Sequence, residues 1–308
     1  MSSSTWRIDA FSGELNHLPH IDYFQPMADL LLATEGGQVV QFNTGTKAHS
    51  VVFQCSDDEA MMGIARYKDH LYVASLSRMY KLRADDHSLV KQTEFYSPSP
   101  DFHQHQWYDG LLYTTITKRN QIWVYNEELE IVRVHDIEPP MPEKKVRYQK
   151  NYNHINNIIR HEGKFYVNLN WLTKVQYAAS GVAVFDEDFR LIEKFEYGWE
   201  THDFQFIDGK RMAICATSSK RKKIHHPRIS GIMLEGELVF EHDSEESFCK
   251  GLTYDKDFLY LCGGRKQPRA KRKNSNAVIY VLNRKDFSLA EQFESEEIKA
   301  VKGVIVAE

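Results

Sequence analysis

The sequence predicts an all-β chain: a six-bladed β-propeller of four-stranded blades, closed by pairing the C-terminal strand with the N-terminal three strands. Three observations carry this expectation: a strand pattern that recurs along the chain, a turn signal closing each recurrence, and an orphan strand at residues 303–307 whose missing partners stand at the other end. A two-sheet sandwich leaves six equal units with a split sixth unexplained.

The second strand of each unit is the clearest element, at residues 30–34, 71–75, 112–115, 165–168, 212–215 and 259–262. Each is a short, nearly continuous apolar run, as a strand covered on both faces requires. Third strands follow at 38–42, 78–82, 121–125, 181–185, 231–234 and 277–282, with alternating apolar residues. Turn residues close them, among them Asn43-Thr44-Gly45, Asn126-Glu127-Glu128 and Asp186-Glu187-Asp188. Asn, Asp and Gly supply the local hydrogen bonds and positive φ of a tight hairpin. Fourth strands such as 129–134 and 190–195 are more polar, as outer edges should be. First strands are expected at 63–67, 105–108, 157–161, 204–207 and 251–254.

One propeller domain therefore spans residues 1–308, with 1–26 as an N-terminal arm. The closing blade takes 27–56 plus 302–308; the others occupy 60–96, 101–137, 152–198, 200–243 and 247–296. The composition agrees: 42% hydrophobic residues, with 16 Tyr and 17 Phe, supply a β core and exclude disorder. Four cysteines, Cys55, Cys215, Cys249 and Cys262, lack C-x-x-C spacing and fall in apolar patterns, so reduced thiols and a cytoplasmic location are expected. No basic segment followed by an apolar run opens the chain, and no run nears the about 18 apolar residues of a membrane span, so neither a secretory signal nor a membrane partner is expected. The formal net charge of -4 argues against a generally basic nucleic-acid binder.

First strands line the channel of a propeller, so the residues that open them meet at one mouth. Stepping back ten positions from Tyr72, Tyr113, Tyr166, Met212 and Tyr260 gives Met62, His103, Asn156, His202 and Lys250, with Lys302 as the sixth by analogy. The next residues are Gly63, Gln104, Asn157, Asp203, Gly251 and Gly303, and His105 is the polar exception one step further on. Convergent imidazoles admit two chemistries, a divalent metal held by His103, His154, Asn156 and His202, or acid–base work by His105, His154 and Asp203. The bland alternative is that these groups satisfy exposed backbone and hold a water column.

Loop lengths add a second signal. The connections at 169–180, 217–230 and 263–276 are long and rise on the same face. They carry Lys220 to Lys223, Arg228, Arg265, Lys266, Arg269 and Lys271 to Lys273, while Lys144, Lys145, Arg147 and Lys150 enter the fourth blade. Like charges around one mouth repel unless an anion is near, so Asn157, Lys250, Lys302, Lys222, Arg228 and Arg269 are expected to contact an anionic small molecule or saccharide. Trp171, Tyr177 and Trp199 could stack a sugar or base, or pack blades together.

The layout resembles the gluconolactonase-like, strictosidine-synthase-like and NHL six-bladed propellers. Gluconolactonase-like enzymes hold a divalent cation with a Glu, an Asn and an Asp. That resemblance implies roles for Asn156 and Asp203, while the Glu has no sequence match and the histidines are more similar to those of metal-dependent lyase or oxygenase propellers of other blade counts. The expected function is an enzyme of hydrolase or lyase type acting on an anionic substrate. The alternative is a non-catalytic scaffold docking nucleic acid or an acidic protein through its basic loops.

Overall fold

The computed structural model describes residues 27–137, 153–172, 179–216, 230–244 and 246–307. Within them the chain forms six four-stranded antiparallel sheets, and the sheet containing the N-terminal strands is completed by the C-terminal one. In this first blade Val301–Val306 is the inner strand, followed outward by Asp29–Thr34, Gln38–Asn43 and His49–Gln54. Leu30 pairs with Val306, Leu31 with Ile305 and Leu32 with Val304, so the ring closes across the two ends of the chain. No open edge is left between first and last blades, which is what protects a propeller from strand-edge association.

Blades 2 to 6 begin with the inner strands Met61–Tyr67, Phe102–Tyr108, Ile155–His161, Thr201–Ile207 and Ser247–Tyr254. Each inner strand touches that of the next blade, and Val301–Val306 touches both Ser247–Tyr254 and Met61–Tyr67. The helical pieces among the described residues, Thr117–Arg119 and Arg269–Asn274, are short 3-10 turns.

Alternation within the second strands explains the core. Leu30 and Leu32 face blade 6, beside Tyr260, Cys262 and Ile279, whereas Leu31 and Ala33 face blade 2, beside Met61, Leu71 and Val73. The same division repeats around the ring, with an apolar cluster at each blade-to-blade contact. A strand buried on both faces must be apolar at every position, hence the unbroken runs in the sequence. Burial falls off outward, leaving Val51, Leu89, Val132, Leu191 and Leu289 exposed on outer strands. All four cysteines are free and buried. Among the described residues no helix is long and apolar enough to cross a membrane.

Two differences from the sequence expectation matter for the site. Inner strands begin two to four residues earlier than the pattern indicates, because each resumes pairing beyond a β-bulge. The expected loop at 263–276 is shorter than its spacing implied, since its preceding strand runs on to Arg265 and the next begins at Asn276.

Candidate functional site

Six bulges, one per inner strand, build the mouth of the channel. Lys302, Met62, Asn156 and Lys250 are each the extra residue of a bulge, His103 shares one with Gln104, and Asp203 shares one with Phe204 directly after His202. A bulge inserts a residue without a cross-strand partner and re-aims its side chain, here at the start of the channel. The ten-residue offset, extended by analogy to Lys302, thus lands on the bulge in five inner strands and on the residue just before it, His202, in the sixth. Asp203 and the neighbouring His154 take positive φ, 46° and 49°, which this turning of the backbone requires.

His103 and His202 are each 7% exposed, and both imidazoles are held well below their ordinary range. Burial is the largest cause for both; His154, Lys250 and Lys302 add to it. His154, Lys250 and Lys302 therefore lie within electrostatic reach of both imidazoles, the five groups coming from blades 1, 3, 4, 5 and 6. The His103 and His154 rings meet edge to face with centroids 5.4 Å apart, and His154 lies 5.4 Å from the Trp171 ring. Trp199 packs instead against the apolar cluster between blades 4 and 5.

Asn156 is fixed by a closed amide network. Its Nδ2 donates to Thr201 O at 2.8 Å and lies 3.1 Å from His202 Nδ1, while Asn168 Nδ2 donates to Asn156 Oδ1 at 2.7 Å. Thr201 Oγ1 donates in turn to Asn168 Oδ1 at 2.9 Å. With Asn156 donating to Nδ1, the proton of neutral His202 resides on Nε2, which is left as a donor.

One level deeper the ring is lopsided. Blades 6, 1 and 2 carry Gly251, Gly303 and Gly63, whereas blades 3, 4 and 5 carry Gln104, Asn157 and Asp203. The glycines let backbones approach closely: a Cβ on Gly63 would lie 2.6 Å from His103 O and 2.7 Å from His105 Nδ1. Gln104 of blade 3 fills the space they leave, donating to Lys302 O of blade 1 at 3.0 Å and hydrogen-bonding Asp203 of blade 5. Spanning non-adjacent blades, this side chain reaches from blade 3 to blades 1 and 5 and stands between the mouth residues and the space below them.

Below Gln104 lies a chamber of about 270 Å³, lined by His105, Asn157, Asp203, Gln205 and Trp107 among others. Asp203 Oδ2 accepts from Leu252 N at 2.7 Å, but burial without a cationic partner pushes the carboxyl up to about 8. His105 is 2% exposed; its Nε2 lies 2.8 Å from Tyr72 O, and burial lowers its pKa. The residues expected at one site are thus split: His103, His154, Asn156, His202, Lys250 and Lys302 stand at the mouth, His105, Asn157 and Asp203 in the chamber.

A divalent cation fits this donor set poorly. Asn156 is committed to its network, and two ammonium groups lie within electrostatic reach of the imidazoles. Two carboxylates do stand at the mouth, both missed by the sequence reading because they lie outside the inner strands: Asp101, with Oδ1 4.0 Å from His103 Nε2, and Glu35, which is ion-paired with Lys302. The ammonium takes the place a cation would need. Among the described residues no three His, Cys, Asp or Glu side chains are grouped to hold a metal.

The basic loops yield a partial picture. Lys222 and Arg228, with Lys220, Arg221, Lys223, Lys144, Lys145, Arg147, Lys150 and Tyr177, lie outside the described residues, and the side chain of Arg269 does as well. In the last loop part of the positive charge is balanced by the protein itself. Arg265 bonds Glu246 and Glu294, each at 2.6 Å, Lys273 pairs with Asp58 at 3.1 Å, and Lys266 Nζ donates to Ser244 O. Carboxylates from neighbouring loops and blades, far off in sequence, relieve that repulsion.

No protein-family profile matches the chain, and no curated protein matches it either. Among solved structures, a protein of unknown function from Bacteroides caccae aligns at 12% identity over 91% of this chain and 98% of that chain, with a TM-score of 0.64. A chain of the nidogen/laminin complex aligns at 10% identity over 91% and 98%, with a TM-score of 0.63. The WD40 propeller domain of Doa1 aligns at 10% identity over 91% and 85%, with a TM-score of 0.52. At such identities the likeness is one of fold, and the gluconolactonase-like, strictosidine-synthase-like and NHL resemblance stays architectural.

Proposed function

We propose that the mouth of the channel binds an anionic small molecule or acidic saccharide, and that one of its imidazoles moves a proton on that ligand, a role of hydrolase or lyase type. The observation that carries this reading is the convergence of His103, His154, His202, Lys250 and Lys302 within mutual electrostatic reach. Ammonium groups and imidazole N–H donors together suit carboxylate or phosphate oxygens. Lys302 is already paired with Glu35, so its share of the contact is the smaller.

Binding and proton transfer are coupled by the same electrostatics. Burial and nearby ammonium groups keep His103 and His202 neutral. An anion at the mouth offsets the positive charge and raises the His103 pKa toward neutrality, where an imidazole accepts and returns protons efficiently, while His202, whose Nδ1 already accepts from Asn156, serves the anion as an Nε2–H donor. Affinity accordingly rises as pH falls toward 6.

Calorimetric titration of inorganic phosphate and D-glucuronate into the full-length protein tests this, alongside His103→Ala and His202→Ala. Saturable binding that weakens at least tenfold in both variants supports the reading. Equal affinity in wild type and variants, or no saturable heat with either probe, contradicts it. The scaffold alternative draws on the WD40 domain among the structural matches. It predicts binding of nucleic acid or acidic protein that salt weakens steeply and the histidine variants leave unchanged.

A further inference from the structure

The chamber below Gln104 has no part in that reading, yet it has the marks of a site of its own. Its wall is mostly neutral and polar, with amides from Gln104, Asn157 and Gln205 set among the aliphatic side chains of Ile64, Leu252 and Val304. Four buried polar atoms of its lining residues make no hydrogen bond within the described chain: His105 Nδ1, Asn157 Oδ1, Gln205 Nε2 and Trp107 Nε1. Asn157 is 3% exposed, so its oxygen has been withdrawn from bulk water without a protein partner, an arrangement that costs stability unless something else bonds it.

The four atoms offer two acceptors, since His105 Nε2 donates to Tyr72 O and leaves Nδ1 with its lone pair, and two donors, and the raised carboxyl of Asp203 adds a group that both donates and accepts at neutral pH. Hydroxyl groups match such a mixture, because each can give and take a hydrogen bond. Ionised ligands match it less well, since the one cationic lining residue, Arg66, is exposed at the far end of its strand, beyond buried Ala65. Exposure rises at that end of the inner strands, from buried His105, Phe204 and Leu252 to half-buried Gln106, Gln205 and Thr253. Access is therefore from the face opposite the mouth. At about 270 Å³ the chamber falls just below the usual range of about 300–1,000 Å³ for ligand pockets, which restricts the occupant to a small molecule.

We infer that the lower half of the channel is a second binding site, entered from the opposite face, for a small neutral polyhydroxylated molecule such as a monosaccharide or polyol. Asn157, Gln205 and Trp107 orient its hydroxyls, and Gln104 stands between it and the mouth. Asn168 and Asn156 belong to the separate network above and take no part.

D-glucose, myo-inositol and xylitol are the probes, titrated into the full-length protein by calorimetry and tryptophan fluorescence. At least one should bind saturably below tens of millimolar, and Gln205→Leu and Asn157→Leu should each weaken it tenfold or more. Gln205 is half-buried, so its variant should fold even where Asn157→Leu does not. Absence of saturable binding by all three probes overturns the inference, as does affinity kept within tenfold in Gln205→Leu. A crystal grown with the probes that shows only discrete waters in the chamber overturns it equally.

Discussion

Replacing Asp203 by Asn isolates the electrostatic cost of the chamber's buried carboxyl. The carboxyl titrates at an ordinary 3.8 when solvated and is pushed up to about 8 in the fold. A group whose folded pKa is raised favours the folded state most below its unfolded value, and that stability is lost as pH rises through the folded value. Wild-type stability should therefore fall between about pH 4 and pH 8 from this group alone. At about 1.4 kcal/mol per pH unit the full span amounts to on the order of 6 kcal/mol. Relaxation and water entry reduce that figure, and Asp203→Asn gives up one acceptor for Gln104, about 1 kcal/mol. Asn keeps an oxygen for Leu252 N and never ionises. Urea unfolding at pH 5, 7 and 8.5 should show the variant near wild type at pH 5 and more stable by about 2–4 kcal/mol at pH 8.5. Parallel stability curves across this range would refute the reasoning, because they would mean that Asp203 stays ionised in the folded protein.

Two further substitutions test the frame that carries the site. Gly63→Ala places a Cβ 2.6 Å from His103 O and 2.7 Å from His105 Nδ1, so it should cost about 1–3 kcal/mol in urea unfolding, and a loss under about 0.5 kcal/mol would contradict the close approach. Val304→Asp buries a charge in the strand that closes the ring against Leu32, and it should cost about 3 kcal/mol or more; unchanged stability would show that the first blade does not depend on its C-terminal strand.

Much of this architecture was legible because propeller blades repeat. Apolar runs such as 30–34 and 259–262 must be continuous where both faces are covered, and the orphan strand at 303–307 had only one set of partners available. The mouth was legible for the same reason: a fixed offset from each second strand reaches the bulge or the residue just before it. What could not be read was direction. Strict alternation sends neighbours to opposite sides, but a bulge shifts that parity, so His202 and Asp203 end in different compartments and His105 lies below Gln104 rather than beside His103. Pairing across long sequence distances was equally hidden. Nothing near Lys302 announces Glu35, and nothing near Lys273 announces Asp58, although these contacts decide how much positive charge is left for a ligand. A weak signal for Gln104 did exist, since three polar residues opposite three glycines at one level of the ring leave room for a side chain to reach between blades.

The coupling of anion to imidazole is best read from the histidine ring resonances themselves. In the free protein the His103 and His202 pKa values should lie well below the ordinary 6.5, held there by burial and by His154, Lys250 and Lys302. Saturation with inorganic phosphate or D-glucuronate should move the His103 titration upward by at least one pH unit, with matching proton uptake in the calorimeter near pH 6, while His202 stays neutral with its Nδ1 held by Asn156. Titrations that lie near 6.5 in the free protein, or a His103 titration that neither probe shifts, would contradict the assignment of the mouth as an anion site.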